Sequence, residues 1–381
     1  MFTLQFTLHS CVPVPVVEEF GFLMFCSMQL RTLEMVGFLC EPASSSHQSQ
    51  QHRGTAGEVI IMGMSRSGSS LTTSIVASVL GNGRPELWRG GGAEYPADGA
   101  NQRGYYERSD VVALNYEAIR RAGERWYIFP HGFAESPRAV SWKNASPYFR
   151  GRAASIVADM DKHARGAAWV LKDVRFARTL PLWSPHFSGP LACIVPFRHP
   201  SEVAASSRMS MTDRLFLWQN YLLAALATAH SLRCPTMLVA YDRWVLGNAT
   251  AATTKAAGGA WPGARYQQLV DLVEFLRCAG ISGLPEGPPP FEALQRLIQP
   301  SMYHHRLQAI HTKLPASVEC LWEELRSGRA LRWTWDERAG TFAEPPCVGG
   351  RPPSSVAPAR DVAKHHHDGG AGGSGAWEKT H

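Results

Sequence analysis

Apolar positions along the chain follow two alternating rhythms. Short runs are apolar throughout, and longer stretches carry apolar residues three and four positions apart. Residues 59–64 read Val-Ile-Ile-Met-Gly-Met, with no polar side chain. A run so short and so uniform fits a strand buried on both faces, as in a parallel sheet. Residues 71–80 follow at once with a helix pattern. Val111, Leu114 and Ile119 predict a helix over 111–122, and Ala153, Ile156, Val157 and Met160 predict another over 150–165. Apolar runs at 168–171, 191–197 and 237–240 predict further strands, while 212–232 and 267–278 predict helices, the second closed by Gly280. Short apolar strands alternating with helices predict an α/β fold, a parallel sheet in a three-layer arrangement with helices on its faces.

The pattern weakens at both ends. An apolar stretch at 20–28 is hemmed in by Glu18, Glu19, Arg31 and Glu34, so no window of spanning length is free of charge. Residues 1–10 lack the basic start of a secretory signal. A polar linker covers 44–54. The expected organisation is an N-terminal extension over 1–53, of unassigned or targeting role, and one main domain over 54–335. A tail over 336–381 is rich in Pro, Gly, Ala and Ser and is expected to be largely disordered.

Composition narrows the function classes. With 381 residues and 45% hydrophobic positions, the chain can build one large α/β core or two small ones. A formal net charge of +6 suits an anionic small ligand or an acidic polymer, and without any Lys/Arg tract it is too weak to argue for nucleic acid, so none is expected as a partner. The eight cysteines are widely spaced and form no Cys-x-x-Cys pair, so no metal site is expected. Cys193 and Cys278, in a strand and a helix pattern, are expected to be buried thiols, with a disulfide framework left open though a chain of this size does not need one. The triplets Asn144-Ala145-Ser146 and Asn248-Ala249-Thr250 are glycosylation acceptors only if the chain enters the secretory route. Cytoplasm and secretory lumen both stay open.

Chemistry concentrates after the first strand. The loop Gly63-Met64-Ser65-Arg66-Ser67-Gly68-Ser69-Ser70 has two glycines at the separation of an ATP-binding P-loop, but Ser69 stands where that motif needs lysine. Loop N–H groups and the positive end of the following helix hold an anion unaided. Without the lysine, γ-phosphoryl transfer loses its main charge partner. Arg66, inside the loop, lies nearer the first phosphate, which suits a nucleotide whose single 5′-phosphate carries a different transferring group. The plain alternative is a Ser-rich turn between a buried strand and a helix.

A second candidate site follows the strand at 191–197. Arg198 leaves the strand end, His199-Pro200 turns the chain, and Ser201 is placed to cap a helix that carries Glu202 and Ser206. A strand-end guanidinium and a nearby hydroxyl can converge on one phosphate. The plain alternative is an arginine capping the sheet and a serine facing solvent.

Together the two constellations resemble the sulfotransferase family that uses 3′-phosphoadenosine-5′-phosphosulfate, and most closely its bacterial-type branch with a P-loop-like fold. The segments Asn101-Gln102-Arg103-Gly104-Tyr105-Tyr106-Glu107 and Trp169-Val170-Leu171-Lys172-Asp173-Val174-Arg175, with Asn115, Trp218 and Tyr221, extend the likeness over roughly 58–306. The resemblance implies that Arg66, Ser67, Gly68, Ser69 and Ser70 hold the 5′-phosphosulfate end and that Arg198 and Ser206 hold the 3′-phosphate. Val174 replaces the family's proline, and His199 its commoner Asp or Asn. The Lys-Thr-His and Arg-Lys-Gly elements of the cytosolic animal-type enzymes are missing.

The activity so implied is transfer of a sulfuryl group to a hydroxyl or amine of a small molecule, carbohydrate or protein acceptor. The transferring group is less charged than a phosphoryl, so no metal ion is required. Arg66 and the loop stabilise the leaving phosphate oxygen. The acceptor needs a general base. Glu107 ranks first, then Asp173 at a strand end, then Glu94. Two alternatives stand beside this one: a P-loop nucleotide kinase or NTPase dependent on Mg²⁺, and a nucleotide-binding member of the fold without catalysis.

Overall fold

In a computed structural model the chain divides into two units, Met1–Glu34 and Met35–His381. The structure describes residues 38–39, 56–81, 94, 104–122, 146–206, 210–246, 263–286, 297–298, 313–336 and 341–342, all in the second unit. Most of the extension expected over 1–53 and most of the tail expected over 336–381 lie outside them.

The sheet forms where the uniform apolar runs were read. Its strands are β1 Phe38–Leu39, β2 Glu58–Ile61, β3 Trp169–Lys172, β4 Leu191–Phe197 and β5 Thr236–Ala240. Their order across the sheet is β1-β5-β4-β2-β3, with β5, β4, β2 and β3 mutually parallel and β1 antiparallel on the β5 edge. The chain therefore leaves β2, adds β3 on one side, and crosses to add β4 on the other. The carboxyl end of β2 lies at this reversal, where open α/β sheets bind ligands.

Alternation along each strand divides the core into two. Ile60, Trp169, Leu171, Cys193, Val195, Phe197 and Leu238 face one cluster, and Val59, Ile61, Val170, Ala192, Ile194, Met237 and Val239 face the other. Helices α2 Ser109–Arg121, α3 Pro147–Ala164, α4 Phe176–Trp183, α5 Pro200–Ala205, α6 Met211–Ser231 and α9 Ala316–Arg326 pack on the first face. On the second lie α1 Ser69–Leu80, α7 Tyr241–Leu246 and α8 Gly263–Cys278. These are the three layers that the alternating pattern predicts. A two-stranded hairpin, β6 Trp335–Asp336 with β7 Thr341–Phe342, lies apart from the sheet.

Two expectations need correction. Cys193 is not a free thiol: it is bonded to Cys234, with Cα atoms 6.0 Å apart, because adjacent parallel strands bring β4 beside the start of β5. Cys278 is exposed at the end of α8 and is also disulfide-bonded, as is Cys320. The helix after Arg198 also differs. His199 is its N-cap residue, Ser201 lies inside it, and Ser206 closes it as C-cap, so α5 is barely two turns long.

Candidate functional site

The loop after β2 turns tightly onto α1. Arg66 adopts the left-handed conformation at φ 68°, uncommon for a residue with a side chain. Gly68 is the N-cap of α1 at φ 86°. A Cβ there would lie 2.1 Å from Tyr241 Cδ2, so the Tyr241 ring rests on the glycine backbone itself. Ser69 and Ser70 begin the helix, and their N–H groups belong to its unsatisfied first turn. Ser67 and Thr72 are fully buried, and neither hydroxyl has a hydrogen-bond partner among the described residues. Buried hydroxyls left in this state mark a place where a ligand or water supplies the bond.

The neighbouring strand β4 delivers Arg198, which is nearly buried. Its Nε donates to Glu202 Oε2 at 2.5 Å, one turn into α5. Its guanidinium stacks on Tyr241, 4.9 Å from the ring centroid. The Tyr241 ring therefore touches both the loop and Arg198. Burial raises the Tyr241 hydroxyl pKa, Arg198 and Arg66 pull it down, and Asp242 and Glu202 push it up. Ser206 Oγ donates to the Val203 carbonyl at 2.8 Å, so its hydroxyl proton is spent on its own helix.

The carboxylate candidates have different surroundings. Glu107 follows a kinked entry, with Gly104 at φ 89° and Tyr106 at φ 56°. Its Oε1 accepts from Lys172 Nζ at 2.5 Å. Lys172 also donates to the Tyr105 carbonyl at 3.1 Å, and Ser70 Oγ donates to the same carbonyl at 3.3 Å. This shared carbonyl ties the segment carrying Glu107 to the start of α1. Asp173 has no exposed surface. Its Oδ2 accepts from Asn115 Nδ2 at 2.9 Å, and its Oδ1 accepts from the Arg175 backbone N and guanidinium, each at 2.9 Å. Asn115 Oδ1 in turn accepts from Trp183 Nε1 at 2.8 Å. Burial works against the Arg175 charge, but Asp173 and Glu107 more than offset it and raise its pKa. Glu94 forms an isolated antiparallel bridge with Arg108.

The structure thus brings together Arg66, Ser67, Gly68, Ser69 and Ser70 in one loop, with Arg198 linked to it through Tyr241. Glu107 joins through Tyr105. Asp173 is braced beneath them, and Ser206 is turned toward α5. Tyr105 and Tyr106, which precede Glu107, are half-buried.

No family model matches the chain, and no curated protein does. Among solved structures, the sulfotransferase domain from the Synechococcus PCC 7002 olefin synthase is similar at 15% identity with a TM-score of 0.36, covering 75% of this chain and 96% of that one. The likeness is loose, and the site must be judged on its own residues.

Three contributors were missed in the sequence. Tyr241 lies just past the strand predicted over 237–240, with no pattern that marks it. Glu202 was placed in a first helical turn without its pairing to Arg198, although the i,i+4 spacing after a strand-end arginine carries that signal. Arg214 has no local motif: it joins the loop only because α6 packs across it. Among the described residues no helix is long and apolar enough to cross a membrane, and no group of three His, Cys, Asp or Glu is placed to hold a metal ion.

Proposed function

We propose that this chain is a sulfotransferase that takes its sulfuryl group from 3′-phosphoadenosine-5′-phosphosulfate and passes it to a hydroxyl or amine of a small-molecule, carbohydrate or protein acceptor. One observation carries the proposal. Arg66 lies in the loop after β2 and Arg198 follows the end of the neighbouring parallel strand β4, and one aromatic ring, Tyr241, rests on Gly68 of that loop and against the Arg198 guanidinium. A ligand with phosphates at both ends of a nucleoside matches that pairing better than a triphosphate does. A kinase or NTPase would need lysine at Ser69, and an Asp closing β4 to hold its metal is replaced by Arg198.

The loop residues 66–70 and the unpartnered Ser67 and Thr72 hydroxyls are assigned to the 5′ end of the donor, and Arg198 to its 3′-phosphate. Ser206 can donate to that phosphate only by turning its hydroxyl away from the Val203 carbonyl. In the transfer, the S–O bond to the 5′-phosphate breaks as the acceptor O or N bonds to sulfur. Arg66 and the loop N–H groups neutralise the electron pair that returns to the phosphate oxygen. Glu107 takes the acceptor proton. Among the described residues Lys172 occupies only Oε1, which leaves Oε2 for that proton. Asp173 is assigned a positioning role, holding Asn115 and Arg175 beneath Lys172.

Calorimetric titration with adenosine 3′,5′-bisphosphate, adenosine 5′-monophosphate and ATP, without Mg²⁺, tests the reading. Tightest binding of the bisphosphate is expected. Preference for ATP that depends on Mg²⁺ would replace it with a kinase or NTPase. The short Lys172–Glu107 contact favours a second reading, a binding protein without catalysis. Bisphosphate binding with no turnover on a broad acceptor panel would select it.

A further inference from the structure

Arg214 is the fourth residue of α6, a helix capped by Ser210, whose hydroxyl accepts from Asp213 N at 3.1 Å. Its side chain is 5% exposed. It does not run along its own helix. It crosses to the loop after β2 and donates from Nη2 to Ser65 Oγ at 3.0 Å, next to Arg66. Trp218, one turn further along α6, donates from its indole to the Arg198 carbonyl at 3.1 Å. One face of α6 thus holds the loop through Arg214 and the second arginine through Trp218, and residues four apart on a helix stand about 6 Å apart.

We infer that Arg214 is a second arginine of the loop's anion site, and that its guanidinium meets the bound anion from the α6 side while Arg66 meets it from within the loop. The inference rests on the sulfotransferase reading only for the identity of the anion; that an anion binds here rests on the residues themselves. Arg214, nearly buried and bonded to the residue next to Arg66, brings a second cation to the loop, and an anion there turns the cost of burying that charge into charge-assisted hydrogen bonds. Burial, and then the Arg66 charge, lower the Arg214 pKa to about 10. The buried and unpartnered Ser67 hydroxyl in the same loop points to a ligand independently.

A merely structural Arg214 would brace Ser65, and that role can be separated. The variants are Arg214→Gln, Arg214→Lys and Ser65→Ala, each first checked for cooperative thermal unfolding. The probes are inorganic pyrophosphate and adenosine 3′,5′-bisphosphate, titrated by calorimetry. Expected is a loss of about 10- to 100-fold in pyrophosphate affinity for Arg214→Gln, in keeping with removal of one charged hydrogen-bond partner. Arg214→Lys should recover part of it, and Ser65→Ala should lose much less. Equal losses in Ser65→Ala and Arg214→Gln would reduce Arg214 to a brace and overturn the inference. So would wild-type affinity in Arg214→Gln, or wild-type protein that binds neither probe. Pyrophosphate binding that needs Arg214, with no binding of the bisphosphate, would uphold the inference and sink the proposed donor instead.

Discussion

Arg66 is held at φ 68°, where a residue with a Cβ is strained by roughly 1–2 kcal/mol. Glycine would adopt that conformation at no steric cost. Replacing Arg66 with glycine should therefore keep or slightly raise thermal stability while removing the loop's own cation. Arg66→Ala should stay folded and lose turnover. Scanning calorimetry alongside a sulfation assay checks both, and an active Arg66→Ala protein would end the proposed mechanism. Glu107→Gln separates the two carboxylates. The amide still offers an oxygen to Lys172 but cannot take a proton. Turnover should fall by about 10²- to 10⁴-fold, the usual worth of a general base, with bisphosphate affinity unchanged by calorimetry. Unchanged turnover would remove Glu107 from that role. At this scale the sequence was legible wherever neighbours in the chain are neighbours in space. The loop and Arg198 stand out for that reason, whereas Glu107 enters only through the resemblance, its partner Lys172 lying 65 positions away. Arg214 does not stand out, because its partner Ser65 is 149 positions away.

Elements were legible where their apolar pattern has a clear period. Helices α1, α2, α3, α6 and α8 and the four parallel strands lie on the predicted stretches, with ends displaced by a few residues. Helix α4 was missed for two physical reasons. It is only eight residues long, too short for a period to stand out, and it contains Pro181, which reads as a stop. Helix α7 was missed because it starts at Tyr241, immediately where β5 ends. That abrupt start matters: it lays the Tyr241 ring on Gly68 and under Arg198. Gly68→Ala tests the junction. The added methyl meets Tyr241 at its ring carbons, and the backbone sits at φ 86°. Destabilisation of roughly 1–3 kcal/mol is expected from strain and overpacking together. Bisphosphate affinity should fall as the ring shifts off Arg198. Chemical denaturation and calorimetry would read the two effects, and a variant with wild-type values in both would show that the ring contact does not organise the site.

Across the whole molecule, two cores on one sheet leave several histidines in poorly solvated positions. Burial lowers the pKa of His186, His199 and His230 below the ordinary 6.5. Arg150 adds to the effect at His186. At His199, Arg198 also lowers the pKa, while Glu202 and Glu323 partly oppose the shift. His199 packs edge-on against Trp322, and His230 against Phe342, at centroid distances of 5.1 and 5.3 Å. The sign of the linkage follows. Between the folded and unfolded pKa values the unfolded chain binds more protons, so stability rises with pH there. Acidification must therefore cost stability, beginning near pH 6.5 and continuing down to the lowered folded values. Melting temperatures between pH 7.5 and 5.5 should fall steadily, before most carboxylates titrate. His230→Gln keeps a polar side chain of similar reach but cannot take the proton, so its fall should be shallower. A pH dependence identical to wild type in that variant would move the sensitivity away from His230. A melting temperature that rose on acidification would contradict the direction for all three histidines at once, because each is displaced the same way.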